Sequence, residues 1–127
     1  MEDLIKVGGR IKLFSKDVAY FEADINYTII HYTIGKRKIV ATTLGHIQER
    51  IGNGFIRPNK SFLINLEFIN SCLLGELLLQ NDLKVNMSRR KKNQLTIIVN
   101  KHIEQKKLQI NNTLAIAQAR KFGCKSF

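Results

Sequence analysis

The chain has 127 residues, 44% of them hydrophobic, which suits one globular domain and falls short of two. One proline, two cysteines and no apolar run of ~18 residues exclude a Pro-rich linker, a disulfide framework and a membrane-spanning helix. Twenty-one Lys and Arg against ten Asp and Glu give a net charge of +11, which points to an anionic partner.

In chain order, Val7 to Phe14 reads as a turn followed by a short alternating strand. Asp17 to Ala23 continues with period two, placing Val18 and Tyr20 on one face with Glu22, and Ala19, Phe21 and Ala23 on the other. Asp24-Ile25-Asn26 is a turn signal, and Tyr27 to Ile34 is rich in the β-branched and aromatic residues that strands favour. Gly35-Lys36 forms a hairpin tip before Arg37 to Ala41. The period then changes. Thr42 or Thr43 caps a short helix carrying Leu44, Ile47, Gln48 and Ile51, which Gly52-Asn53-Gly54 ends. Phe55 to Pro58 is extended, with Pro58 at an edge or turn, and Ser61 to Leu66 and Phe68 to Cys72 are further strands. Gln80-Asn81-Asp82 joins Leu77-Leu78-Leu79 to Leu83 to Met87 as a hairpin. A helix is expected from near Ser88 through Leu95, Ile98, Val99 and Ile103, although Thr96 to Val99 also suits a strand. A second short helix fits Leu114, Ala117 and Ala119.

The charge is unevenly spread. Residues up to Leu83 carry a net +1, and those from Lys84 onward a net +10, with Glu104 their single acidic residue. A near-neutral body with a cationic end is the footprint of a polyanion binder. Catalytic patterns are missing. His31, His46 and His102 lie far apart without partners at metal-ligand spacing, and there is no phosphate-cradling Gly loop or nucleophile elbow. No enzyme, no cofactor and no metal is therefore expected.

Two stretches carry a binding signal. Arg57, Asn59, Lys60 and Ser61 sit on a connection before an apolar strand, and such side chains read base edges and hold phosphates. Ser88-Arg89-Arg90-Lys91-Lys92 follows a strand at the start of a helix, where free N–H groups and arginines favour phosphate or a guanine edge.

In this setting the sequence resembles the LytTR family of bacterial DNA-binding domains. Ile11-Lys12-Leu13 and Asp17 to Ala23 look like its opening strands, Asn26 to Ile30 like the loop and strand after them, and Thr43 to Glu49 like its "TL" helix. Phe55 to Asn65 resembles its most recognisable stretch, and Val85 to Arg90 its closing "SRR" segment. The resemblance, from about Ile11 to about Leu95, implies a mainly β, antiparallel fold with short helices; the basic C-terminal tail, expected to be helical, lies outside it. The chain is accordingly read as a DNA-binding domain at 1–100 and a basic extension at 101–127. Three loops would reach double-stranded DNA with repeated sites: Asn26, Tyr27 and Thr28; Arg57, Asn59, Lys60 and Ser61; and Ser88, Arg89, Arg90 and Lys91. Asn59 stands where the family often carries His, and Pro58 is unusual beside it.

The expectation is a cytoplasmic, sequence-specific transcription regulator that pairs as a homodimer on DNA. About ten residues precede the fold, so the chain is read as lacking its own receiver domain, and a membrane protein partner would supply regulation in place of phosphorylation. The competing reading is an RNA-binding or ribosome-associated basic module, and a third is a protein-interaction module whose basic tail docks an acidic partner. Single-stranded RNA readers stack bases on exposed aromatic side chains, and the aromatics near the basic loops are Tyr27 and Phe62.

Overall fold

The computed structural model of the chain describes residues 4–8 and 11–108. The opening segment is a hairpin, β1 (Leu4–Gly8) against β2 (Ile11–Phe14), where a single strand was expected. Five strands then form the main sheet: β3 (Val18–Asp24), β4 (Tyr27–Tyr32), β5 (Arg37–Val40), β6 (Phe55–Asn59) and β7 (Phe62–Asn65). Their order is β5-β4-β3-β7-β6, antiparallel throughout. Pro58 lies in the edge strand β6, where the register slips between Ile56 and Asn59; a residue without an N–H is tolerated there. A second antiparallel sheet holds β8 (Ile69–Leu73), β9 (Glu76–Leu79) and β10 (Lys84–Asn86) in the order β10-β9-β8.

Two apolar cores lie on opposite faces of the main sheet. On one face, helix α1 (Leu44–Arg50) inserts Leu44 and Ile47 among Val18, Phe21, Ile30, Val40 and Leu63. Thr43 holds the extended N-cap conformation, and Ile51 is already extended, so the helix stops one residue before Gly52. On the other face, Tyr20, Ile56 and Ile64 meet Leu77, Leu79 and Val85 of the second sheet and Met87 just after it. Val18 and Tyr20 therefore do not share a face. The β3–β4 register shifts between Val18 and Tyr20, and this bulge sends Val18 to the α1 core and Ala19, with Tyr20, to the opposite one.

Helix α2 occupies 92–108 and starts later than Ser88. The Ser88 carbonyl accepts from the N–H groups of both Lys91 and Lys92, which closes a turn ahead of the helix. Thr96 to Val99 is helical. Leu95 and Val99 are buried in the second core and Ile103 packs against it, so one stripe at four-residue spacing anchors the helix. The helix continues through position 100. Beyond it, His102 lies 3.2 Å and Lys106 3.2 Å from the Glu67 carboxylate. The helix expected around Leu114 to Ala119 lies outside the described residues.

Antiparallel pairing leaves turns at two ends of the sheets. One end gathers Ile25-Asn26 between β3 and β4, Lys60-Ser61 between β6 and β7, Leu74-Gly75 between β8 and β9, and the 87–91 segment after β10. The opposite end carries the 33–36 and 80–83 turns.

Candidate nucleic-acid interface

Short hydrogen bonds stitch the four turns of the first end into one surface. The Ala23 N–H donates to the Ser61 carbonyl (2.8 Å). The Ser88 N–H donates to the Pro58 carbonyl (2.8 Å), and the Met87 N–H to the Gly75 carbonyl (2.9 Å). The Asn59 Nδ2 donates to the Asn86 carbonyl at 2.7 Å, joining the edge of the main sheet to the edge of the second. All three loops singled out from the sequence thus sit side by side, although the first and last lie sixty or more residues apart in the chain.

Their side chains divide by role. Asn26, Tyr27, Lys60, Arg89 and Arg90 are exposed. Among the described residues, the cations Lys60, Arg89 and Arg90 take part in no ion pair, and their charge faces solvent unopposed. The other site residues serve as braces. Thr28 is fully buried, and its hydroxyl donates to the Thr42 carbonyl at 2.5 Å, so it is not presented to a ligand. Half-buried Arg57 donates through Nη1 to the Gln48 Oε1 (2.8 Å) and through Nη2 to the Lys60 carbonyl (3.1 Å), tying α1 to the loop. Asn59 uses both ends of its amide: Nδ2 on Asn86, and Oδ1 accepting from the Ser61 N–H at 2.8 Å. Its side chain therefore shapes the loop from both sides. Ser61 and Ser88 are half-buried and contribute backbone groups, and the Lys91 Nζ reaches back to the Arg57 carbonyl at 3.5 Å.

Sequence reasoning missed one component. The Leu74-Gly75 turn belongs to the same surface, because Gly75 abuts the aliphatic stem of Lys92, whose Cε would lie 2.7 Å from a Cβ at that position. The available signal was a glycine at a two-residue turn between two apolar runs. The surface consists of loop tips and exposed cations, and no cluster of three or more His, Cys, Asp or Glu that could hold a metal occurs among the described residues. No helix among them is long and apolar enough to cross a membrane. Such an arrangement neutralises a polyanion through its cations and offers polar side chains between them.

A family model described as the LytTr DNA-binding domain matches residues 8–100. A solved LytTr DNA-binding domain from Bacillus cereus has a TM-score of 0.58 and 20% identity to the chain, over 74% of this chain and 92% of that one. At that identity the likeness shows the antiparallel fold alone. No curated protein matches.

Proposed function

The chain belongs to the LytTR family of DNA-binding domains, and on that premise we propose that it is a sequence-specific, double-stranded DNA-binding transcription regulator. The observation that carries this reading is the row of four braced turns presenting Lys60, Arg89, Arg90 and Lys92 at one end of the sheets. Cations at that end release counterions from phosphates and supply the salt-sensitive part of the affinity. With Arg89 and Lys92 on phosphates, log-affinity falls with log-salt at a slope of about −1.8 per bound copy. Arg90 and Lys60, exposed and free to reorient, are the base readers of this reading, and Asn59, Arg57 and Lys91 hold their loops in register. Two copies occupy repeated sites, as implied for the family.

The RNA reading is less well supported, because a single-stranded binder needs several exposed rings. Tyr27 is 52% exposed at this end, but Phe62 is half-buried and packs against Tyr20 at 5.9 Å between ring centroids. The deciding experiment is a competition at fixed salt. A labelled duplex selected by the chain from a randomised library is challenged with unlabelled duplex and with single-stranded RNA of the same base sequence. Displacement by duplex at far lower concentration supports the proposal; stronger displacement by RNA contradicts it.

A further inference from the structure

Turns of the described chain that need a left-handed residue differ by end. At the end away from the basic loops, the positions with positive φ are Gly35 (φ 90°) and Asp82 (φ 66°), residue types that adopt this conformation readily. At the end that gathers the basic loops they are Ile25 (φ 53°) and Leu74 (φ 53°), the latter followed by Gly75 (φ 78°). A branched or bulky side chain is a steric outlier there, and two-residue hairpins favour Asn and Gly instead. Ile25 and Leu74 are also the most exposed large hydrophobic residues described, at 91% and 88%. Among the described residues nothing offsets either cost, since neither side chain packs into a core.

Resting on the duplex-DNA reading above, we infer that Ile25 and Leu74 are apolar specificity residues that contact thymine C5-methyl groups in the major groove. The thymine methyl is the one apolar feature on a major-groove base edge, and aliphatic contact with it discriminates thymine from every other base. Both tips lie at the end that carries the basic row. Across the joined sheets the strands run β4-β3-β7-β6-β10-β9-β8, so about five strand spacings of ~4.8 Å separate the two hairpins. That is at most about 24 Å, or roughly seven base-pair steps of ~3.4 Å. Both contacts fall within a single site, together with the bases read by the polar loops.

The test uses the intact chain and a duplex it selects from a randomised library. Each dT is replaced singly by dU, which removes the methyl and nothing else. The expected result is binding weakened about fourfold at one or two positions, the effect of one methyl group left in water, with those positions no more than about seven base pairs apart. In Ile25→Asn one of these positions becomes indifferent to the methyl, and in Leu74→Asn the other does. Neither variant is expected to lower the unfolding midpoint, because Asn tolerates positive φ and Leu74→Asn creates the favoured Asn-Gly turn. Equal binding of dT and dU at every position, with the preference for the selected duplex intact, overturns this assignment and leaves the DNA-binding reading standing. Methyl sensitivity that is unchanged in both variants also overturns it. Equal binding of the selected and a scrambled duplex by the unsubstituted chain overturns the DNA-binding reading itself.

Discussion

Replacing Asn59 by alanine separates a loop brace from a base reader. The substitution removes the Nδ2 bond to the Asn86 carbonyl (2.7 Å) and the Oδ1 bond from the Ser61 N–H (2.8 Å). Each such bond contributes a net of about 0.5–1.5 kcal/mol, so the half-buried pair is worth about 1–2 kcal/mol after partial solvent compensation. For a domain of this size the unfolding midpoint falls by roughly 5–10 °C. Asn59→Asp keeps the acceptor for Ser61 but turns a carboxylate oxygen toward the Asn86 carbonyl, so it is expected to lose at least as much stability. Thermal unfolding and binding titrations on a selected duplex, with base pairs varied one at a time, are the assays. With the brace gone, the 57–61 loop and the 86–91 segment shift together, and discrimination weakens at several base pairs at once. An unchanged midpoint with preference lost at one base pair alone would refute this reasoning and make Asn59 a direct reader.

Arg90→Ala is expected to cost about 1–3 kcal/mol on the selected duplex and much less on a scrambled one, whereas Lys92→Ala weakens both equally; titration of each variant on both duplexes checks this. A chain ending after 108 keeps Ile103 on the core and Lys106 beside Glu67. A chain ending after 100 loses both, together with Lys101 and Lys107, and is expected to be less stable by about 1 kcal/mol or more in urea unfolding. Burial, and then the charge of Asp17, push the Tyr32 phenol above its ordinary pKa of 10.0. The unfolded chain releases this proton first as pH rises, so the stability tied to Tyr32 is full below about pH 10 and is lost as pH climbs through the higher folded value. Tyr32→Phe flattens that alkaline decline in a series of unfolding curves.

Strands and hairpins were legible because β-branched runs and Gly, Asn and Asp turn residues act locally. Tyr27 to Ile34, Gly35-Lys36 and Gln80-Asn81-Asp82 fall where the structure has β4 and two turns at one end of the sheets. The Val18–Ala19 assignment failed because a bulge is set by pairing with β4, a neighbour that period-two counting within one strand cannot see. The delayed start of α2 goes with the same kind of distant neighbour, since the Ser88 N–H is held by the Pro58 carbonyl. At the site, residue types identified which loops matter but not which side chains are free. Asn59, Arg57 and Lys91 look like readers in isolation, and their partners, Asn86, Gln48 and the Arg57 carbonyl, lie 27, 9 and 34 residues away. Thr28 is polar in sequence and buried in the fold for the same reason, its acceptor being Thr42. Leu74-Gly75 sits within the largely apolar stretch from Cys72 to Leu79, and the pairing of β8 with β9 makes it a tip beside Lys92.

In the proposed complex one end of the two sheets meets the duplex. Backbone amide chemical shifts, recorded as a selected duplex is added to the chain, report which end does so. The expected result is perturbation concentrated at 24–27, 59–61, 74–75 and 87–92, with the 33–36 and 80–83 turns at the opposite end unmoved. Perturbation centred on 33–36 and 80–83, with Lys60, Arg89 and Arg90 silent, would contradict it.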